Sequence, residues 1–486
     1  MKNKNFQNKL LCLAGLLMIL CLAGCSFEIY DIANIPDQAT AWTPLYINAY
    51  AEYSGYSYDD PPVYWSIKDA GTTKAIKYSE YLLFAMAPGT VVVSATAGKG
   101  EEKFTKNFTI TVHPAPEEIH SVGTELASHT ANTANNPVLL KPSLDLEIHW
   151  LNLLNMLIVA DRYVNLDLTE STGTHIPALS DRLFISDILH NKNALSIVLP
   201  EGITSIGAYA FFYYKGLTSV RMGNNVSVIG DSAFSNCSRL ASVTIPNSVT
   251  SIGTSAFRNC TGLTSVSIPN SVTSIGNSAF ENCSSLASVI IPDSVTNIGS
   301  NVFYNCSNLA AIDVAPGNTM YSSIDGILYD KTGTSLIRFP MGKTEIIVTI
   351  PHTVTSIGNN AFSNCSSLTS VSIPNSVTSI GNSAFRGCRS LASIIIPDSV
   401  TSIGDSAFSY CSKLTSVIIG NTVEAIGKAA FDECSKLATV TFNGTIAQSG
   451  FDDKAFPGDL RVKYFANSGG PGTYTNKSGS SRWSKE

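Results

Sequence analysis

Phe211, Phe234, Phe257, Phe280 and Phe303 recur at an interval of 23, and Phe362, Phe385, Phe408 and Phe431 keep the same interval. A fixed period of this length rules out one closed globule over that stretch. Each copy is a single coil too small to bury its own apolar face, so the copies must stack. One copy, Leu263-Thr-Ser-Val266-Ser-Ile268, shows how. Val266 and Ile268 point to one side of a strand, with Ser265 and Ser267 on the other. Pro269 then ends the pairing, having no N–H to give. Val272 and Ile275 turn inward again, Gly276 allows a tight bend, and Ala279-Phe280 sets a ring in the middle of the coil. Ten or so stacked strands at about 4.8 Å predict a sheet about 50 Å long.

The interval between Phe303 and Phe362 is 59, one period plus 36. The inserted stretch, near 309–344, holds Gly326-Ile327-Leu328-Tyr329-Asp330, a turn through Gly333, and Leu336-Ile337-Arg338-Phe339-Pro340, which predicts a hairpin-like excursion. At the far end Pro gives way to Asn443, and the interval to the next phenylalanine, Phe456, stretches to 25, as a terminal unit would require. The Gly/Ser-rich stretch 457–486 reads as an extended closing tail. Leu-x-x-Val-x-Ile at this period marks a leucine-rich solenoid. With Pro after the strand and Ile-Gly-x-x-Ala-Phe-x-x-Cys behind it, residues 194–456 resemble the BspA-type leucine-rich repeats of bacterial surface proteins. That resemblance implies attachment to host matrix proteins, host cells or other bacteria.

Upstream, Leu144-Asp145-Leu146-Glu147-Ile148 alternates as a strand, Trp150 to Arg162 is apolar over most of a helical circumference, and Tyr163 to Leu168 alternates again. Residues 137–193 therefore predict a strand–helix–strand cap over the first coil. Residues 116–136 are polar and Pro/Asn-rich and read as a linker. Before them Tyr64-Trp65-Ser66-Ile67, Val91 to Thr96 and Phe108 to Val112 read as strands set between turns, which predicts a small β-sandwich within 25–115. Its closing half resembles bacterial immunoglobulin-like domains of group 2. The fold class is mainly β throughout.

Residues 1–24 carry Lys2, Lys4 and Lys9 before an uncharged apolar run from Leu10 to Gly24, a signal peptide by length and flanks. The run ends Leu22-Ala23-Gly24-Cys25, which resembles a bacterial lipobox. The resemblance implies cleavage after Gly24, lipid on the Cys25 thiol, and a place in the cell envelope; Ser26 permits the outer-membrane surface. Removing this leader takes three lysines and no acid, so the formal charge of −6 becomes −9. An acidic chain has no basic face for nucleic acid.

Little here points to catalysis or to a cofactor. Of seven histidines only His352 lies among the coils, and the nucleophile-elbow, zinc-protease and phosphate-loop motifs are missing. Asp325-Gly326 and Asp330 read as turns rather than a calcium loop. Of eleven cysteines, Cys12 and Cys21 leave with the leader; Cys237, Cys260, Cys283, Cys306, Cys365, Cys388, Cys411 and Cys434 each stand third after a coil's phenylalanine. None has a partner at zinc-ligand spacing within its coil. Parallel side chains in register do not meet as a disulfide needs, so these read as buried free thiols. Asn-Cys-Ser/Thr recurs, and its asparagines read as bonding backbone in the turn. The remaining candidate is the outward strand face. Ser265, Ser267, Ser370 and Ser372 make it a hydroxyl surface, and Ile290, Ile395 and Ile418 interrupt it. Apolar neighbours on such a face mark a contact site for a protein or glycan ligand, or for self-association.

Overall fold

The computed structural model describes residues 194–466, 471–476 and 482–486 in the C-terminal part. In the N-terminal part it describes 29–33, 37–40, 44–46, 50–53, 63–71, 75–79, 82–84, 88–97, 104–113, 117–129, 133–150, 153, 157 and 163–178. The chain divides into two compact units, 1–123 and 124–486.

In the first unit Gly89–Ala97 pairs antiparallel with both Val63–Asp69 and Phe104–His113, and Gln38–Thr40 adds in parallel at the edge. The alternation Val91, Val93, Ala95, Ala97 is buried with Trp65, Ile110 and Val112, which is the inward face the period-two pattern predicts. A second sheet of three strands (Pro44–Tyr46, Leu82–Phe84, Ile76–Ser79) is antiparallel throughout.

The 116–136 stretch is not simply extended. Glu117–Ser128 is an α-helix whose Ile119, Val122 and Leu126 form one buried stripe, with Glu117 and Glu118 in its first turn where the helix dipole favours acids. The strand–helix–strand unit ahead of the coils is present but shifted. Its first strand is Val138–Leu140, and 146–150 is already helical, so Leu144–Ile148 is not the strand its alternation predicts. Buried Leu146, Trp150, Leu153 and Leu157 fall at helical spacing, and that stripe overrides the period-two alternation. Val138–Leu140, Val164–Asp167 and Ala194–Val198 then pair in parallel and lead directly into the repeat sheet.

Each coil contributes two strands. The longer, such as Ser265–Ser267, stacks in register on its neighbours: Ser242 on Ser265, Val243 on Val266, Thr244 on Ser267. The shorter, Ser274–Ile275 in the same coil, belongs to a second parallel sheet of very short strands. Between them runs a file of rings. Phe211 to Phe303 stack at 4.8, 5.4, 5.3 and 5.9 Å between centroids, and the run from Phe362 through Phe385, Phe408 and Phe431 to Phe456 stacks at 4.8, 5.0, 5.0 and 4.5 Å. Trp150 closes one end, edge-on to Phe211 at 5.2 Å, which makes the preceding helix a true cap.

Gly276 is required by close approach rather than by handedness. A Cβ there would lie 2.5 Å from the Thr254 nitrogen of the coil below. The left-handed positions are elsewhere, at Ser278 (φ 55°) and Asn282 (φ 60°) and their counterparts. Those asparagines do not bond backbone in the turn, as their residue type suggests; their amides bond one another from coil to coil. Asn259 donates to Asn236 at 2.8 Å and Asn282 to Asn259 at 2.7 Å. Asparagine suits the site twice, tolerating φ above zero and carrying both donor and acceptor.

The excursion is the predicted hairpin with one more strand. Tyr321–Ile324 pairs with Ile327–Asp330 around Asp325-Gly326, and Ile327–Asp330 pairs in turn with Ser335–Arg338. Ser335–Arg338 then joins the short-strand sheet in parallel with Ser356–Ile357, and Phe339 stacks on Phe362 at 5.1 Å. Residues 335–342 are therefore a coil of the array, with Phe339 one full period ahead of Phe362. At the C-terminal end the tail is built rather than merely extended. Helix Leu460–Ala466 precedes Gly472–Asn476, which pairs antiparallel onto Thr439–Phe442, and Trp483–Lys485, which pairs antiparallel onto Gly472–Asn476. Its buried Tyr464, Tyr474 and Trp483 complete the core, and its strands cover the sheet edge that the last coil would expose.

Candidate binding surface

The long-strand sheet presents the face predicted for contact. Ser265, Ser267, Ser370 and Ser372 are exposed, alternating with buried Val266 and Val371. Ile290 and Ile395 are each 62% exposed and Ile418 is 36% exposed. Ile395 and Ile418 are cross-strand partners in register, so two branched side chains meet on the surface. Ile418 is flanked on its other side by Thr441. Ile290 lies in the other half of the array, paired with Asp313, and does not join that patch.

One apolar residue escaped notice in the sequence. Ile347, 66% exposed, stands beside Ser370 in a row that most other coils fill with serine. Aligning the third strand position as well as the fifth would have found it. The threonines flanking these strands are less available than their exposure implies, because Thr264 and Thr369 donate to the carbonyls of Ala241 and Ile346 in the preceding coil at 3.2 and 2.8 Å. They stitch coils together, leaving the serines and isoleucines as the free features of the face.

The eight repeat cysteines are buried and free. In seven of them the thiol donates to the carbonyl of the preceding coil's phenylalanine at 3.1–3.2 Å, as Cys260 does to Phe234 and Cys283 to Phe257. Burial pushes the Cys306 and Cys365 thiols up to about 12, and moves Cys237, Cys260, Cys283 and Cys388 in the same direction. A neutral, inaccessible thiol is neither nucleophile nor metal ligand. Among the described residues no three His, Cys, Asp or Glu side chains converge as metal ligands would, and no helix is long and apolar enough to cross a membrane. Cys25 lies outside the described residues.

The pattern of the BspA type leucine rich repeat region (6 copies) matches residues 185–310 and 343–460. The stretch it leaves out, 311–342, contains the excursion together with the coil of Phe339. Among solved structures, a leucine rich cell surface protein from Faecalibacterium prausnitzii is 29% identical, covers 58% of this chain and 85% of its own, and has a TM-score of 0.45. A leucine-rich repeat protein from Eubacterium ventriosum is 27% identical over 57% of this chain and 80% of its own, with a TM-score of 0.46. The pneumococcal vaccine antigen PcpA is 25% identical over 60% and 76%, also with a TM-score of 0.46. No curated protein matches the chain. With half its length in repeats of this pattern, stacked in register as the pattern requires, the chain belongs to the BspA-type leucine-rich repeat family, a family of bacterial cell-surface proteins.

Proposed function

We propose that this protein is a lipid-anchored adhesin that binds protein or glycan ligands on host or bacterial surfaces, and that it is not an enzyme. The observation that carries this reading is the exposed pair Ile395 and Ile418, set side by side on an otherwise serine-rich, weakly charged sheet face. Apolar residues centred in a polar surround give a contact its affinity, while the surround excludes water. The Leu22-Ala23-Gly24-Cys25 sequence supports an anchor at Cys25, since several buried acyl chains at ~0.8 kcal/mol per CH₂ hold a chain durably on a bilayer. The N-terminal β-unit then serves as an immunoglobulin-like spacer.

Immobilised mature protein offered to matrix proteins, host cells and partner bacteria is expected to bind at least one of them saturably. The double variant Ile395→Asp/Ile418→Asp should weaken that binding tenfold or more, about 1.4 kcal/mol, without lowering the melting temperature. No saturable binding to any target would remove the adhesin reading. The same isoleucine pair favours a second reading, self-association in the envelope; a concentration-dependent oligomer in light scattering, lost in the double variant, would then replace it. For the anchor, Cys25→Ala should move the protein from the membrane fraction to the soluble one, with loss of labelled palmitate. Retention in the membrane would mean that something other than Cys25 holds it.

A further inference from the structure

The file of rings is interrupted once. Phe303 stacks on Phe280 and Phe339 on Phe362, but no ring contact joins Phe303 to Phe339 among the described residues. A cavity of about 500 Å³ lies at the break, within the range of small-molecule sites, roughly 300–1,000 Å³. Arg338, Asn301, Asn360, Phe303, Tyr304 and Leu328 are among the residues that line it.

Arg338 is out of place by the logic of the repeat. In every other coil the residue before the ring is alanine or valine, as at Ala279 and Ala384. Here a guanidinium is buried to 7% exposure, with its face 5.7 Å from the Tyr304 ring centre. Its Nη1 donates to the Asn360 carbonyl, while Nε and Nη2 have no hydrogen-bond partner among the described residues. Those two N–H groups form one edge of the planar fork, the edge that takes both oxygens of a single carboxylate. Burial acts most on Arg338 and disfavours its charged form; of the nearby groups that oppose this, Cys365, Cys306, Tyr304 and Cys388, none is a carboxylate. Among the described residues no carboxylate forms an ion pair with Arg338, and a buried cation without one is costly.

Backbone donors converge on the same gap. In a regular coil the N–H groups of Ser232, Phe234 and Asn236 donate to the next coil's Thr254, Ala256 and Arg258 carbonyls. Their counterparts Asn301, Phe303 and Asn305 make no such bond among the described residues, because the next coil stands off at the cavity. Asparagine side chains span it: Asn360 donates to Asn301 at 2.9 Å and Asn364 to Asn305 at 2.6 Å.

We propose that this cleft binds a carboxylate-bearing ligand the size of a sugar ring, an acidic monosaccharide or the acidic end of a glycan. Arg338, which lines the cleft, supplies the positive charge that the carboxylate meets, Phe303 and Tyr304 supply aromatic wall, and the asparagine amides and open N–H groups meet hydroxyls. The site is separate from the exposed isoleucines and does not rest on the adhesin reading.

Calorimetric titration of the leaderless chain with N-acetylneuraminic acid, glucuronic acid, glucose and inorganic phosphate tests it. Saturable binding is expected for at least one of the two sugar acids, with glucose and phosphate at least tenfold weaker. Arg338→Ala should lose the binding a hundredfold or more while melting no lower than the parent, since it restores the residue the repeat prefers. Arg338→Lys, a point charge in place of a fork, should bind about tenfold more weakly. Binding of neither acid would overturn the proposal, as would equal binding of glucose or phosphate, or undiminished binding by Arg338→Ala or Arg338→Lys.

Discussion

Raising the pH from 8 to about 10.5 is expected to unfold the solenoid cooperatively, and the cause is its file of thiols. Burial raises the pKa of Cys237, Cys260, Cys283, Cys306, Cys365 and Cys388; for Cys434 the neighbouring Cys411 thiol leads and burial adds to it. In the unfolded chain the same thiols titrate near 8.5. Between that value and the higher folded one the native state holds protons that the unfolded state has released, so stability falls as pH rises. The contribution is complete below about pH 8. Each such thiol adds a slope of about 1.4 kcal/mol per pH unit, so seven together reach roughly 9–10 kcal/mol per unit, against a typical total stability of about 5–15. Urea midpoints should be flat from pH 6 to 8 and then drop steeply, with the circular dichroism signal lost by about pH 10.5. Replacing Cys260 and Cys283 by alanine should reduce the slope by about 2.8 kcal/mol per unit. Unchanged stability up to pH 10.5, or thiols that react with a disulfide reagent in the native state at pH 8, would refute the account.

What the sequence discloses and what it hides divide along physical lines. The coil register and the inward residues were legible because a side chain repeated at a fixed period has one environment in every coil. The second parallel sheet was not, since strands as short as Ser274–Ile275 cannot carry a period. Helix Glu117–Ser128 was masked by polar neighbours, although Ile119, Val122 and Leu126 already held the spacing of one face. Leu144–Ile148 misled because its brief alternation is outvoted by a longer helical stripe that begins inside it. Arg338 was hidden by its setting. Read as part of a hairpin, Ile337-Arg338-Phe339-Pro340 is ordinary; aligned on Phe339, it places a charge where the repeat always buries a small apolar group. The outward serines and isoleucines were placed correctly by alternation, which reports the face of a strand but not what touches it.

The interruption at the excursion should also show in the energetics of single rings. Phe385 is fully buried between Phe362 at 4.8 Å and Phe408 at 5.0 Å. Its replacement by alanine removes a large side chain from a packed core, at about 3–5 kcal/mol, and two stacking contacts of about 0.5–1.5 kcal/mol each. Among the described residues Phe303 has a ring neighbour on one side only, Phe280 at 5.9 Å, and the cavity on the other. Phe303→Ala should therefore cost about 2 kcal/mol less than Phe385→Ala, with the missing stacking contact and the existing void accounting for the difference. The two variants should differ in pattern too. In an array stabilised by nearest-neighbour contacts, a weak coil lets its flank open separately. The core from Tyr329 to Trp483 is one continuous cluster, so Phe385→Ala cuts through it, whereas Phe303→Ala weakens a seam that already exists. Urea unfolding of both variants followed by amide exchange is expected to show the coils after Phe385 losing protection early in the first and protection nearly as in the parent in the second. Equal costs for the two rings would mean that stacking across Phe385 contributes nothing beyond simple burial, and that the array does not feel its break.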